Sequence, residues 1–129
     1  MIPSVQLDSW TAIKAAQNAL RKFARFVAGN AELEAEFYAL GFLSAEERYM
    51  AVDIALQEIT PACRLGPQPP NDRSCGLYRS KPLYAFCWRS PEFNKEIYFK
   101  FAFASASDGD HLIVYSFHES TDKEIEAQK

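Results

Sequence analysis

The spacing of apolar side chains divides the chain into a helical first half and a β second half. Ile13, Ala16, Leu20, Phe23 and Val27 recur at intervals of three and four, which places them on one face of a helix expected over residues 8–28. Asp8 or Ser9 can cap its start by accepting from first-turn amides. Arg21, Lys22 and Arg25 complement the dipole at its far end, and Gly29 offers a left-handed residue to stop it. Leu33, Phe37 and Leu40 predict a short second helix over residues 31–40, ending at Gly41. Ser44 and Glu47 form an S-x-x-E capping box that opens a third helix reaching about Ile59, with Tyr49, Val52, Leu56 and Ile59 inward. Thr60-Pro61 ends it, because proline disfavours a helical residue before it.

Residues 61–76 are rich in Pro, Gly, Asn and Asp and read as one long ordered loop, a type often functional in small domains. Beyond it the period changes to two. Residues 83–90 are aromatic and apolar, with a turn around Pro91 to Asn94. Over residues 95–104, Ile97, Phe99, Phe101 and Phe103 point one way and Glu96, Tyr98, Lys100, Ala102 and Ala104 the other. Asp108-Gly109 marks a turn into a strand over 111–118 that is apolar on both faces from Leu112 to Tyr115, as a central strand would be. The expectation is one α+β domain over residues 1–129, with N-terminal helices packed on a three- to four-stranded antiparallel sheet. Its helical part is 7–60, the loop 61–76, the sheet part 77–119, and the charged tail 120–129 is expected to fray.

Composition agrees with a folded domain: 48% hydrophobic and 24% charged residues. The aromatics, 14% of the chain, are concentrated after residue 77, so the sheet carries the bulky core. No stretch approaches the roughly 18 apolar residues of a membrane span, and the first residues lack the basic start and apolar run of a secretory signal. Cys63, Cys75 and Cys87 are odd in number with no CxxC, which suits inert thiols in a reducing cytoplasm better than a disulfide frame or a zinc site. No metal or cofactor is expected. The net charge of −3 is uneven: residues 1–60 hold five basic against eight acidic side chains, whereas residues 61–100 hold seven against three. A basic stretch inside an acidic protein can still form an anion-binding face.

The chemistry-bearing residues fall in that half. Ser116 and His118 share parity, and if the hairpin register sets them beside Tyr98 and Lys100, four polar side chains meet on one open sheet face. Such a group suits RNA cleavage without a metal. His118 would be the acid or base, Lys100 and Arg73 the phosphate clamps, and Tyr98 a positioning residue or second proton donor. Arg79, Lys81 and Arg89 are candidate RNA contacts. The plainer alternative is that Tyr98 and Lys100 belong to the wet face of a sheet and that His118 and His111 are surface histidines. Glu119, the adjacent residue, is a candidate to orient His118.

Three stretches, Trp88-Arg89-Ser90-Pro91, Tyr98-Phe99-Lys100 and Ile113-Val114-Tyr115-Ser116-Phe117-His118-Glu119, resemble the C-terminal part of the MqsR family, toxins with a RelE-like fold. A fainter likeness lies at Asp72-Arg73-Ser74-Cys75. The resemblance implies an mRNA-cleaving toxin neutralised by a cognate antitoxin protein, with catalytic positions falling on Arg73, Tyr98 and His118. The family carries Lys at the first and last of these. A glutamine of the family pattern has no counterpart here, since Ala85 and Phe86 stand in its place. Two functions are therefore expected in competition: an endoribonuclease acting on RNA, or a non-catalytic interaction module of the immunity or antitoxin type.

Overall fold

In the computed structural model, which describes residues 7–65 and 82–120, the elements run α1 (Ser9–Phe23), β1 (Val27–Ala28), α2 (Leu33–Ala39), α3 (Ala45–Glu58), a 3-10 turn (Pro61–Cys63), β2 (Tyr84–Ser90), β3 (Lys95–Ala106) and β4 (Gly109–Glu119). The fold is α+β, as the change of period implies. Arg73, Cys75, Arg79 and Lys81 lie outside the described residues, as do most of the expected loop and residues 121–129.

α1 opens as expected, with the Asp8 carboxylate accepting from Thr11 N at 3.0 Å and from its hydroxyl at 2.8 Å. It closes earlier than expected. Ala24 takes a left-handed φ of 52° and its N–H donates to Leu20 O, so the helix stops at Phe23 and Gly29 is not its terminator. The sheet claims the intervening residues: Val27 and Ala28 pair in parallel with Ile113 and Val114, and Gly29 N donates to Val114 O at 2.7 Å. The glycine answers a different need, since a Cβ there would stand 2.7 Å from Cδ1 of Tyr115. Gly41, at φ +92°, does close the α2 region, and the Ser44/Glu47 capping box forms with both reciprocal bonds.

The strand order is β1-β4-β3-β2. β2, β3 and β4 are antiparallel neighbours, as expected, but β1 joins β4 in parallel and the sheet is mixed, which corrects the wholly antiparallel arrangement. That fourth strand places β4 inside the sheet, and this accounts for its two apolar faces. All three described helices pack on one side of the sheet. There Ile13, Leu20, Phe37, Val52 and Leu56 meet Phe86, Phe99, Phe101, Val114 and Phe117. The rings interlock, with Phe37 on Phe117 at 5.1 Å and Phe99 on Phe117 at 5.3 Å between centroids. Each such ring withdrawn from water contributes roughly 1.5–3 kcal/mol, so this face holds the bulk of the stabilisation.

Two partly buried polar devices tie helices to sheet. The Glu58 carboxylate, at the end of α3, accepts from Trp88 Nε1 at 2.9 Å, Ser90 Oγ at 2.7 Å and Glu92 N at 3.3 Å. Along the margin of β4 beyond β1, Asn30 Nδ2 donates to Tyr115 O at 2.6 Å and the Glu36 carboxylate accepts from Phe117 N at 2.8 Å.

Candidate functional site

A bulge in β4 decides which side chains reach the outer face of the sheet, the side away from the helices. Ser116 pairs with Lys100 and Val114 with Phe101, so Tyr115 is an extra residue that reverses the parity of the strand. Before it, Leu112 and Val114 face the helical core while Ile113 and Tyr115 face outward with Leu83 and Ala102. After it, Phe117 turns to the core and Ser116 and His118 turn outward. Without the extra residue, His118 would share the face of Val114.

The register condition for the four polar residues is met. Tyr98 stands directly opposite His118, and Lys100 opposite Ser116. The Tyr98 and His118 rings stack at 5.2 Å with 21° between their planes, and Lys100 Nζ lies 5.9 Å from the Tyr98 ring centre. His118 Nδ1 lies 2.9 Å from the backbone oxygen of Glu119. A carbonyl only accepts, so this contact puts the proton on Nδ1 and, in the neutral ring, leaves the basic lone pair on Nε2. The orienting group is thus the Glu119 backbone rather than its carboxylate.

The face is less open than expected. Tyr98 is 8% exposed and Ser116 9%, while Lys100 and His118 are half-buried. Part of the cover is Leu65, whose N–H donates to Ala85 O at 2.9 Å and whose side chain packs on Ala85, Cys87 and Tyr98. Lys100 and His118 are the more exposed members of the group. Arg89 lies on the same side at the edge strand, exposed, opposite Glu96 and donating to Asn94 Oδ1 at 3.0 Å. Arg73, Arg79 and Lys81 cannot be placed relative to the group, because they lie outside the described residues.

Three neighbours were not legible in the sequence. Cys87 stands opposite Tyr98, and its thiol contacts Ser120 Oγ at 3.2 Å. Neither that pairing nor the Leu65 cover leaves a trace in spacing, because both depend on how β2 and its preceding bridge register with the sheet. His111 is not a simple surface histidine. Its ring stacks on Phe23 at 3.9 Å, and its Nε2 lies 3.0 Å from Asp108 Oδ1, a bond that holds the Asp108 carboxyl below its ordinary range. Among the described residues no group of three His, Cys, Asp or Glu side chains is placed to hold a metal ion, and no helix is long and apolar enough to cross a membrane.

No protein-family model, curated protein or solved structure matches the chain. Assignment of function therefore rests on the residues and their geometry.

Proposed function

We propose that the protein is a metal-independent endoribonuclease of the toxin type, with a RelE-like fold, acting on RNA in the cytoplasm and held in check by a cognate antitoxin protein. The observation that carries this reading is the cross-strand adjacency of Tyr98, Lys100, Ser116 and His118 on one sheet face. In this reading His118 Nε2 takes the proton of a ribose 2′-hydroxyl, whose oxygen then attacks the adjacent phosphorus. The P–O5′ bond breaks, leaving a 2′,3′-cyclic phosphate, and the departing oxygen takes a proton from the Tyr98 hydroxyl or from solvent. Lys100 neutralises charge building on the phosphoryl oxygens, with Arg73 as a second clamp and Arg79, Lys81 and Arg89 along the RNA path.

Cleavage of a labelled mRNA in EDTA tests it. Activity should survive chelation and fall about 10²- to 10⁴-fold in His118→Ala, with a smaller loss in Lys100→Ala. Cleavage unaffected by either substitution would remove the site from this face.

A second reading is favoured by the burial of Tyr98 and Ser116, which leaves little room for a base to stack. In it the chain is a non-catalytic interaction module, of the immunity or antitoxin type, whose sheet carries no working site. Absence of cleavage with free RNA and with ribosomes would decide for this reading.

A further inference from the structure

The third helix carries apolar side chains on two sides. Ala51, Val52, Ala55 and Leu56 are buried against the core, yet Met50 is 49% exposed and Ile54 half-buried on the other side. These two, with Phe42 and Phe93, line a groove of about 390 Å³ beside Leu43, which is 60% exposed. The groove has a firm floor, because the Phe93 ring packs edge-on against both Phe42, at 5.5 Å, and the core ring Phe117, at 6.0 Å. Its charged lining is wholly acidic: Glu46 and Glu47 from the first turn of α3, and Glu92 from the β2–β3 turn. Arg48, the one basic residue of α3, is turned to the carbonyls of Phe42 and Leu43 and to Glu34. Glu47 is fixed by accepting the Leu43 and Ser44 amides.

We infer that this groove docks a cationic amphipathic helix of a partner protein. Apolar side chains at intervals of three and four would cover Met50, Ile54 and Phe93, and lysines or arginines on the flanks would face Glu46, Glu47 and Glu92. Charge disfavours two other occupants. A second copy of the chain docking through the same face would bring two acidic rims together. An anionic membrane surface would be repelled by the same carboxylates. The inference does not rest on RNA cleavage, and the experiment reads binding alone, so either can fail without the other.

The test uses the full chain with two synthetic helices of the same length, one with leucine and lysine faces and one with leucine and glutamate faces. Binding is followed by fluorescence anisotropy and by the NMR signal of the Met50 methyl group. The lysine helix should bind and shift that methyl, whereas the glutamate helix should not. Met50→Gln, at an exposed position that leaves the fold intact, should weaken binding about tenfold. Glu46→Lys with Glu92→Lys should reverse the preference between the two helices. Equal binding of both helices, a lysine-helix affinity indifferent to these substitutions, or no shift at Met50 would overturn the inference. So would self-association that Met50→Gln abolishes, since the occupant would then be another copy of this chain.

Discussion

Replacing Glu58 by alanine should destabilise the fold far more than an acidic side chain at a helix terminus ordinarily would. The carboxylate lies at the C-terminal end of α3, where the helix dipole disfavours negative charge by roughly 0.3–1 kcal/mol, so on that ground alone its loss would be a gain. Against this stand three accepted hydrogen bonds. Glu92 N is at an exposed turn and can turn to water, but Trp88 Nε1 and Ser90 Oγ belong to buried residues that have no such recourse. A buried donor left without its acceptor costs about 1–3 kcal/mol, so two give about 2–6 kcal/mol. Subtracting the dipole relief leaves a net loss of about 1–6 kcal/mol, which in a domain of this size lowers Tm by about 4–20 °C. Urea denaturation monitored by circular dichroism measures it, and the m-value should not change. Glu58→Gln, which keeps one acceptor oxygen, should fall between wild type and alanine. Ser90→Ala in the Glu58→Ala background should cost less than it does in the wild type, because the hydroxyl has already lost that partner. A Glu58→Ala protein within about 0.5 kcal/mol of wild type would show that the bridge between α3 and the β2–β3 turn contributes little.

Two further substitutions probe the same logic elsewhere. Gly29→Ala should cost about 1–3 kcal/mol in urea denaturation, because the new methyl would meet the Tyr115 ring at 2.7–2.9 Å while the Gly29–Val114 hydrogen bond holds the backbone in place; unchanged stability would mean that the ring moves aside freely. Glu47 has its carboxyl held below the ordinary range by the amides of Ser44 and Leu43, so its contribution is present above the ordinary carboxyl pKa and is lost as pH falls through the folded-state value. Denaturation midpoints taken from about pH 7 down to about pH 3 should therefore fall less steeply for Glu47→Gln than for wild type, and parallel curves would exclude the linkage.

How much of this was legible in the sequence differs from element to element. The capping box at Ser44, the stop at Gly41 and the alternation along β3 are local, and each was read correctly because the residues that carry the signal also carry the bonds. The end of α1 was not. Its apolar period runs through Val27, and the period cannot say that Val27 will be taken by a strand more than eighty residues away. β1 has two residues and no pattern of its own, so the parallel pairing that makes the sheet mixed was beyond reach. At the candidate site the sequence supplied the residue types and a conditional register. Strict alternation from Val114 would have turned Ser116 and His118 into the core, and only the bulge at Tyr115 sends them outward. The burial of Tyr98 draws in part on Leu65, which the sequence placed in a loop with no stated partner.

The side chains of Asn30 and Glu36 along the margin of β4 bear on how the protein survives at high concentration. Past Val114 this strand has no fifth neighbour among the described residues, and its main-chain groups would offer a template to any extended chain that came alongside. Asn30 and Glu36 occupy the positions such a strand would need, each bonded to one main-chain atom of β4, and Glu36 adds a charge that an incoming backbone would have to displace. The margin is thus closed by two side chains rather than by more sheet. Loss of Glu36 would leave the outer sheet face and most of the core in place while freeing the Phe117 amide to pair with an extended chain, so protection of this edge and the candidate site rest on different residues.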